Sequence, residues 1–136
     1  MEETILKLIY INCAGGGTSS LFCSKIDSFA KSVDRKICYE WLGDIIDIIK
    51  KNDDSKYKYY EYVLLYGGTQ VILTRADFPL EIFDLIWICP QTRYFYNDVK
   101  SKCDKYKVPC ENIDMLTFGR MNGDKALEYL DNFFSN

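Results

Sequence analysis

The segment Ile5-Leu6-Lys7-Leu8-Ile9-Tyr10-Ile11-Asn12-Cys13-Ala14-Gly15-Gly16-Gly17-Thr18-Ser19-Ser20-Leu21 changes character twice within seventeen residues. Its first part is a short, nearly continuous apolar run closed by three glycines, the pattern of a buried strand that ends in a tight loop. Beyond the loop, Phe22, Ile26, Phe29 and Val33 recur at intervals of four, three and four, which predicts an amphipathic helix laid on a sheet. A strand, a glycine loop and a helix in that order begin a parallel α/β unit.

The same alternation continues downstream. Lys36 to Leu42 reads as a strand, and Asp44 is placed to cap a helix with Ile45, Ile48 and Ile49 on its apolar side, running out into a solvated turn from Lys50 to Ser55. Asp84 to Cys89 is a short apolar run stopped by Pro90, followed by a helical pattern through Phe95, Val99, Cys103 and Tyr106. Val108 to Ile113 reads as a last strand entered through Pro109. After a turn at Asn122-Gly123, Ala126, Leu127, Leu130, Phe133 and Phe134 mark a terminal helix. The expected class is α/β with a mainly parallel sheet, in a single domain spanning residues 1–136. Tyr57 to Arg75, rich in Tyr and β-branched residues and divided by Gly67-Gly68, departs from the alternation and is expected to be an extra β-hairpin. Its tyrosines (Tyr57, Tyr59, Tyr60, Tyr62) are either a recognition surface or, more economically, the cover of a sheet edge or the filling of a satellite core.

Composition narrows the function. With 17 Lys+Arg against 20 Asp+Glu, a net charge of -3 and no long basic run, the 136-residue chain lacks the clustered cations that grip nucleic acid or anionic lipid. No His is present, so Cys-His and Ser-His pairs and every zinc site with a His ligand are excluded. The six cysteines show no Cys-x2-Cys pair and are expected to be reduced, mostly core residues, holding no metal. Met1-Glu2-Glu3-Thr4 is acidic where a secretory signal is basic, no window is long enough to span a membrane, and no Asn-x-Ser/Thr sequon occurs. The expected compartment is the cytoplasm, without membrane insertion and without a cofactor.

Chemistry concentrates in the loop. Cys13 stands at the carboxyl end of a strand just before a helix N-terminus, where the helix dipole and free backbone N–H groups favour a thiolate without help from histidine. Ala14, Gly15, Gly16 and Gly17 leave the backbone open to phosphate oxygens, and Thr18, Ser19 and Ser20 add hydroxyl donors. The loop is not a Walker phosphate loop, which needs Gly-Lys-Ser/Thr, nor a dinucleotide fingerprint. It also lacks the Arg of a Cys-x5-Arg phosphatase signature, because Ser19 stands there. Without that guanidinium, hydrolysis of a phosphocysteine loses transition-state stabilisation. A loop that accepts phosphate and hydrolyses it poorly suits a relay. The bland alternative is an inert Cys13 beside a glycine turn.

Several stretches in order resemble the enzyme IIB components of the lactose/cellobiose branch of the bacterial sugar phosphotransferase system. They are Cys13-Ala14-Gly15-Gly16-Gly17-Thr18-Ser19-Ser20, Lys36 to Leu42, Trp87-Ile88-Cys89-Pro90-Gln91-Thr92-Arg93-Tyr94, Val108-Pro109, Ile113-Asp114-Met115 and Phe118-Gly119-Arg120-Met121-Asn122-Gly123. The resemblance covers roughly four fifths of the chain and departs most over an insertion at about residues 52–79. It implies a four-stranded parallel sheet flanked by helices, with a phosphotyrosine-phosphatase-like phosphate loop. It implies that Cys13 takes a phosphoryl group from a phosphohistidine on enzyme IIA and that the group passes to a sugar of the cellobiose, lactose or chitobiose class entering through the membrane component, enzyme IIC. Pro90 and Gln91 would lie beside Cys13, and Tyr94 would help frame the loop. The competing expectation is a regulatory or scaffold protein on the same fold, binding a protein through its Tyr-rich segment.

Overall fold

The computed structural model describes residues 6–44 and 57–135. Lys7–Cys13 forms β1, and its side chains are buried on both faces of the sheet, Ile9, Ile11 and Cys13 toward one core and Leu8 and Tyr10 toward the other. A continuous apolar run is what a strand covered on both sides requires. Gly17–Ser32 (α1) follows, then Ile37–Trp41 (β2), Tyr62–Gly68 (β3), the short helix Gln70–Thr74 (α2), Leu85–Ile88 (β4), Tyr96–Lys105 (α3), Cys110–Asn112 (β5), Met115–Gly119 (α4) and Gly123–Phe134 (α5). The five strands lie in the order β2-β3-β1-β4-β5, and every pairing is parallel.

One face carries α1 and α5 over a core of Ile9, Ile11, Phe22, Ile26, Leu64, Trp87 and Leu130. Here Phe22 meets Trp87 and Phe118 at ring separations of 5.9 and 5.0 Å. The opposite face packs Tyr10, Val63, Leu65 and Ile86 under Ile72, Phe78, Leu80, Phe83 and Val99. Each fully buried Ile or Leu stabilises the fold by about 1.5–3 kcal/mol relative to exposure. Closeness of the layers is visible at Gly123, where a Cβ would stand 2.2 Å from the Lys25 carbonyl oxygen of α1.

Two expectations are corrected. Among the described residues the sheet has five strands, one more than the family resemblance implies, and the stretch from Tyr57 to Arg75 is no hairpin. Tyr62–Gly68 is inserted between β1 and β2 as a central parallel strand, with Val63, Leu64 and Leu65 fully buried. Gly67-Gly68 ends that strand instead of turning it. Gly67 is demanded by packing, since a Cβ there would fall 2.5 Å from the Tyr10 hydroxyl, which itself donates to the Gly68 carbonyl at 2.7 Å. The β-branched residues that follow form helix α2 because Thr69 and Gln70 turn the chain over the sheet edge.

The tyrosines divide accordingly. Tyr57 is 2% exposed and donates to Glu40, and Tyr62 is buried and donates to Asp131 at 2.6 Å, while Tyr59 is exposed. Asp131 also accepts from Arg35, whose guanidinium makes a second bidentate pair with Glu61, so one cation ties the start of β3 to α5. The segment that the scaffold reading offered as a docking surface therefore belongs largely to the core and its polar border.

The helices expected after Phe22 and after Asn122 are present, with the Asn122 side chain accepting from the Lys125 amide at the start of α5. Residues 42–44 are helical, and the expected apolar side Ile45, Ile48, Ile49 and the turn from Lys50 to Ser55 lie outside the described residues. So does Met1 to Ile5. Among the described residues no helix is long and apolar enough to cross a membrane.

Candidate active site

Parallel strands present their carboxyl ends along one edge, and the loops that leave this edge build the site in such sheets. Cys13 is the last residue of β1 and is only 1% exposed. The chain then wraps around its own sulfur. The Gly16 amide donates to Sγ at 3.1 Å and the Ser19 amide at 3.4 Å, while the Thr18 hydroxyl approaches to 3.7 Å. Ser19 Oγ lies 3.3 Å from the sulfur and 3.0 Å from the Gly16 carbonyl.

Gly16 makes this wrap possible. Its φ of 85° is left-handed, and it stands as N-cap of the 16-residue helix α1 without any side-chain cap. The first amides of α1, left without partners by helix geometry, thus turn toward the end of β1. Ala14, Gly15, Gly17 and Thr18 are exposed, Ser20 is half-buried, and Ser19 is buried beneath them.

A fifth group completes the surroundings. Cys89, fully buried, follows β4 immediately and lies in the same core. Stabilisation by the neighbouring Cys89 thiol is the largest influence holding the Cys13 thiol down to about 4 from the ordinary 9.0; burial opposes it, and Ser19 and Thr18 add to it. Cys89 itself is pushed far up by the same contact and by burial, so at neutral pH the pair is one thiolate and one thiol.

Polar groups behind the loop set the strand ends. Asn12, fully buried, donates from Nδ2 to the Tyr10 and Trp87 carbonyls at 3.1 and 3.2 Å and accepts from the Thr69 hydroxyl at 2.7 Å. Thr69 and Thr92 share a hydroxyl contact of 2.8 Å, and Thr92 also donates to the Cys89 carbonyl. Together with the Thr69 amide on the Cys13 carbonyl and the Cys89 amide on the Asn12 carbonyl, both at 2.8–2.9 Å, this relay locks the ends of β1, β3 and β4.

Of the other expected site residues, Pro90 opens a 3₁₀ turn directly after Cys89, and exposed Gln91 follows it. Tyr94 is 71% exposed and its ring rests on Phe95. Sequence reasoning missed Cys89 and the Asn12-Thr69-Thr92 relay. Asn12, one polar residue inside an apolar strand, was the available signal for the relay; a Cys in an apolar run gave none. None of the six cysteines is held in a disulfide, and among the described residues no cluster of three or more His, Cys, Asp or Glu could hold a metal ion.

The chain and its fold are similar to known proteins. The chain is 23% identical over 123 residues, 90% of its own length and 91% of the relative's, to the oligo-beta-mannoside-specific EIIB component of the PTS system of Bacillus subtilis (strain 168). Its fold matches the lactose-specific IIB component domain of the phosphoenolpyruvate:carbohydrate phosphotransferase system from Streptococcus pneumoniae, with a TM-score of 0.63 at 15% identity over 96% of this chain and 99% of that one. It also matches the cellobiose-specific phosphotransferase IIB component protein from Borrelia burgdorferi, with a TM-score of 0.58 at 22% identity over 97% and 94% of the two chains. No family model matches. The resemblance drawn from the motifs and these names agree on the IIB components of the phosphotransferase system.

Proposed function

We propose that this chain is a sugar phosphotransferase system IIB component, a cytoplasmic single-domain phosphocarrier whose Cys13 relays a phosphoryl group to an incoming sugar. The observation that carries the reading is the convergence of two amides, two hydroxyls and a thiol on one cysteine sulfur at a helix N-terminus. The similarity to the EIIB relative over 90% of the chain supports it.

In this reading the Cys13 thiolate attacks the phosphorus of a phosphohistidine on an enzyme IIA partner. The S–P bond forms as the N–P bond breaks, and the imidazole leaves with the electron pair and takes up a proton. The donor supplies the histidine that this chain lacks. Amides of residues 14–20 hold the phosphoryl oxygens, with the hydroxyls of Thr18, Ser19 and Ser20. In the second transfer a sugar hydroxyl attacks phosphorus, the S–P bond breaks, and the thiolate is regenerated. The sugar, of the cellobiose, lactose or chitobiose class, is presented by the membrane component enzyme IIC. With Ser19 in place of an arginine, water is a poor competitor for the phosphocysteine.

The partner face is the carboxyl edge of the sheet. The exposed apolar side chains Leu21, Tyr94, Met115 and Leu116 all belong to segments that leave strand ends on that edge, and Pro90 and Gln91 follow Cys89 at the end of β4. Intact-protein mass spectrometry after incubation with phosphoenolpyruvate, the general phosphotransfer proteins and a panel of enzyme IIA proteins tests the reading. One phosphoryl mass gain in wild type, lost in Cys13→Ala, is the expected result. No gain from any donor, while a control enzyme IIB is labelled, overturns it.

A further inference from the structure

Cys13 and Cys89 are neighbours by construction of the sheet. β1 and β4 pair in parallel with Ile9 opposite Leu85, Ile11 opposite Trp87 and Asn12 opposite Ile88. The Cys89 amide donates to the Asn12 carbonyl at 2.9 Å, a bond of the Asn12–Ile88 pair, and the next position along both strands brings Cys13 beside Cys89. Alternation puts Ile9, Ile11 and Cys13 on the same face as Leu85, Trp87 and Cys89, so the two thiols point into one core. Paired strands run about 4.8 Å apart, inside the roughly 4.4–6.8 Å range of Cα separations that a disulfide bridges.

We propose that Cys13 and Cys89 form a reversible disulfide, with Cys89 as the resolving residue that captures an oxidised Cys13 sulfur. The oxidant is a peroxide. The Cys13 thiolate attacks one peroxide oxygen, the O–O bond breaks, hydroxide leaves, and the sulfur becomes a sulfenic acid, oxidised by two electrons while the peroxide is reduced. Cys89 sulfur then attacks Cys13 sulfur. The S–S bond forms, the S–O bond breaks, and the departing hydroxide takes the Cys89 proton as water. A small dithiol returns two electrons and restores both thiols.

The surroundings suit each role. Cys13 is the thiolate, held by donors under the exposed residues Ala14 and Gly15. Cys89 is kept protonated chiefly by the neighbouring Cys13 sulfur, and that restraint ends once Cys13 carries oxygen and no charge. The consequence for phosphoryl transfer rests on the phosphocarrier reading: a disulfide sulfur cannot accept a phosphoryl group, and a phosphocysteine cannot be oxidised by this route. Oxidation and phosphorylation then exclude one another at Cys13.

The test reads the disulfide itself and needs no phosphoryl donor, so it stands or falls apart from the phosphocarrier reading. Reduced full-length chain is treated with hydrogen peroxide, blocked by alkylation, and mapped by peptide mass spectrometry. Wild type is expected to lose two hydrogen masses, to yield a cross-linked peptide pair holding Cys13 and Cys89, and to revert with dithiothreitol. Cys89→Ala and Cys89→Ser are expected to carry Cys13 on to sulfinic and sulfonic acid under the same dose. Cys13 reaching sulfinic acid in wild type as fast as in either variant overturns the proposal, as does a cross-link from Cys13 to Cys23 or one confined to Cys103 and Cys110.

Discussion

Two pairs of adjacent thiols sit on opposite faces of this sheet, and their backbone surroundings differ. Cys13 and Cys89 belong to the core under α1, and Cys103 and Cys110 to the core under α3. In both pairs one thiol stabilises its neighbour: Cys110 lowers the Cys103 pKa and has its own raised, as with Cys89 and Cys13. The difference lies in the backbone. Cys13 stands before the N-terminus of a helix, where two amides reach its sulfur. Cys103 lies in the last turn of α3, where its own carbonyl accepts from Tyr106 and Val108 and the helix end carries partial negative charge. Asp104 pushes its pKa up as well. A thiol neighbour is thus common to both pairs, and the end of the helix beside each is what sets them apart.

The largest effect that would sharpen the contrast is on phosphoryl acceptance, expected to be abolished in Cys13→Ala and unchanged in Cys103→Ala, read by intact mass. Loss of acceptance in the Cys103 variant while its thermal transition stays intact would break it.

Next comes the loop backbone. Gly16→Val forces a β-branched residue into left-handed φ, at a cost of about 1–3 kcal/mol. It also moves the amides off the sulfur, so acceptance should fall by at least ~10-fold, an energy of about 1.4 kcal/mol in the barrier. Kinetic labelling from a phosphorylated donor checks this.

The pH dependence gives a third comparison. Alkylation of Cys13 by iodoacetamide should persist down to about pH 4, whereas Cys23, pushed up by burial, should stay unreactive through neutrality. In Cys89→Ala the Cys13 profile should move to higher pH, since the largest influence lowering it is gone. For stability the sign follows from the folded value lying below the unfolded one. The contribution of the Cys13 thiolate is present in full above the ordinary thiol value of 9.0 and is lost as pH falls toward about 4. Equilibrium unfolding of wild type and Cys13→Ala across that range should show the difference shrinking toward acid.

Smaller effects follow. Thr69→Val leaves Asn12 Oδ1 and Thr92 with one partner fewer, and should cost about 1–3 kcal/mol of stability by denaturant unfolding. Thr18→Ala removes a single long contact of 3.7 Å, so its acceptance rate should fall only about five-fold, the value of one modest hydrogen bond.

Much of this was legible in the chain itself. The apolar run ending at Cys13, the glycines after it and the four-three-four spacing beyond specify a buried strand, a backbone-rich loop and a helix that starts there, because each depends on local geometry. That marks the loop as the candidate place for chemistry. The stretch from Tyr57 to Arg75 reads as a hairpin for a reason that local patterning cannot correct. A β-branched strand, two glycines and another β-branched run look alike whether the glycines turn the chain or clear space, and only Tyr10 lying across β3 says that Gly67 clears space.

From its sequence alone the protein received its class, its strand-loop-helix unit and its candidate nucleophile, since periodicity and turn chemistry act between near neighbours. Tertiary structure decided the fifth strand, the polar relay through Asn12, Thr69 and Thr92, and the meeting of Cys13 with Cys89, 76 positions away. Those depend on which strands pair and in what register. In a parallel sheet that choice is made by helices crossing over distant chain, so no short window of residues contains it.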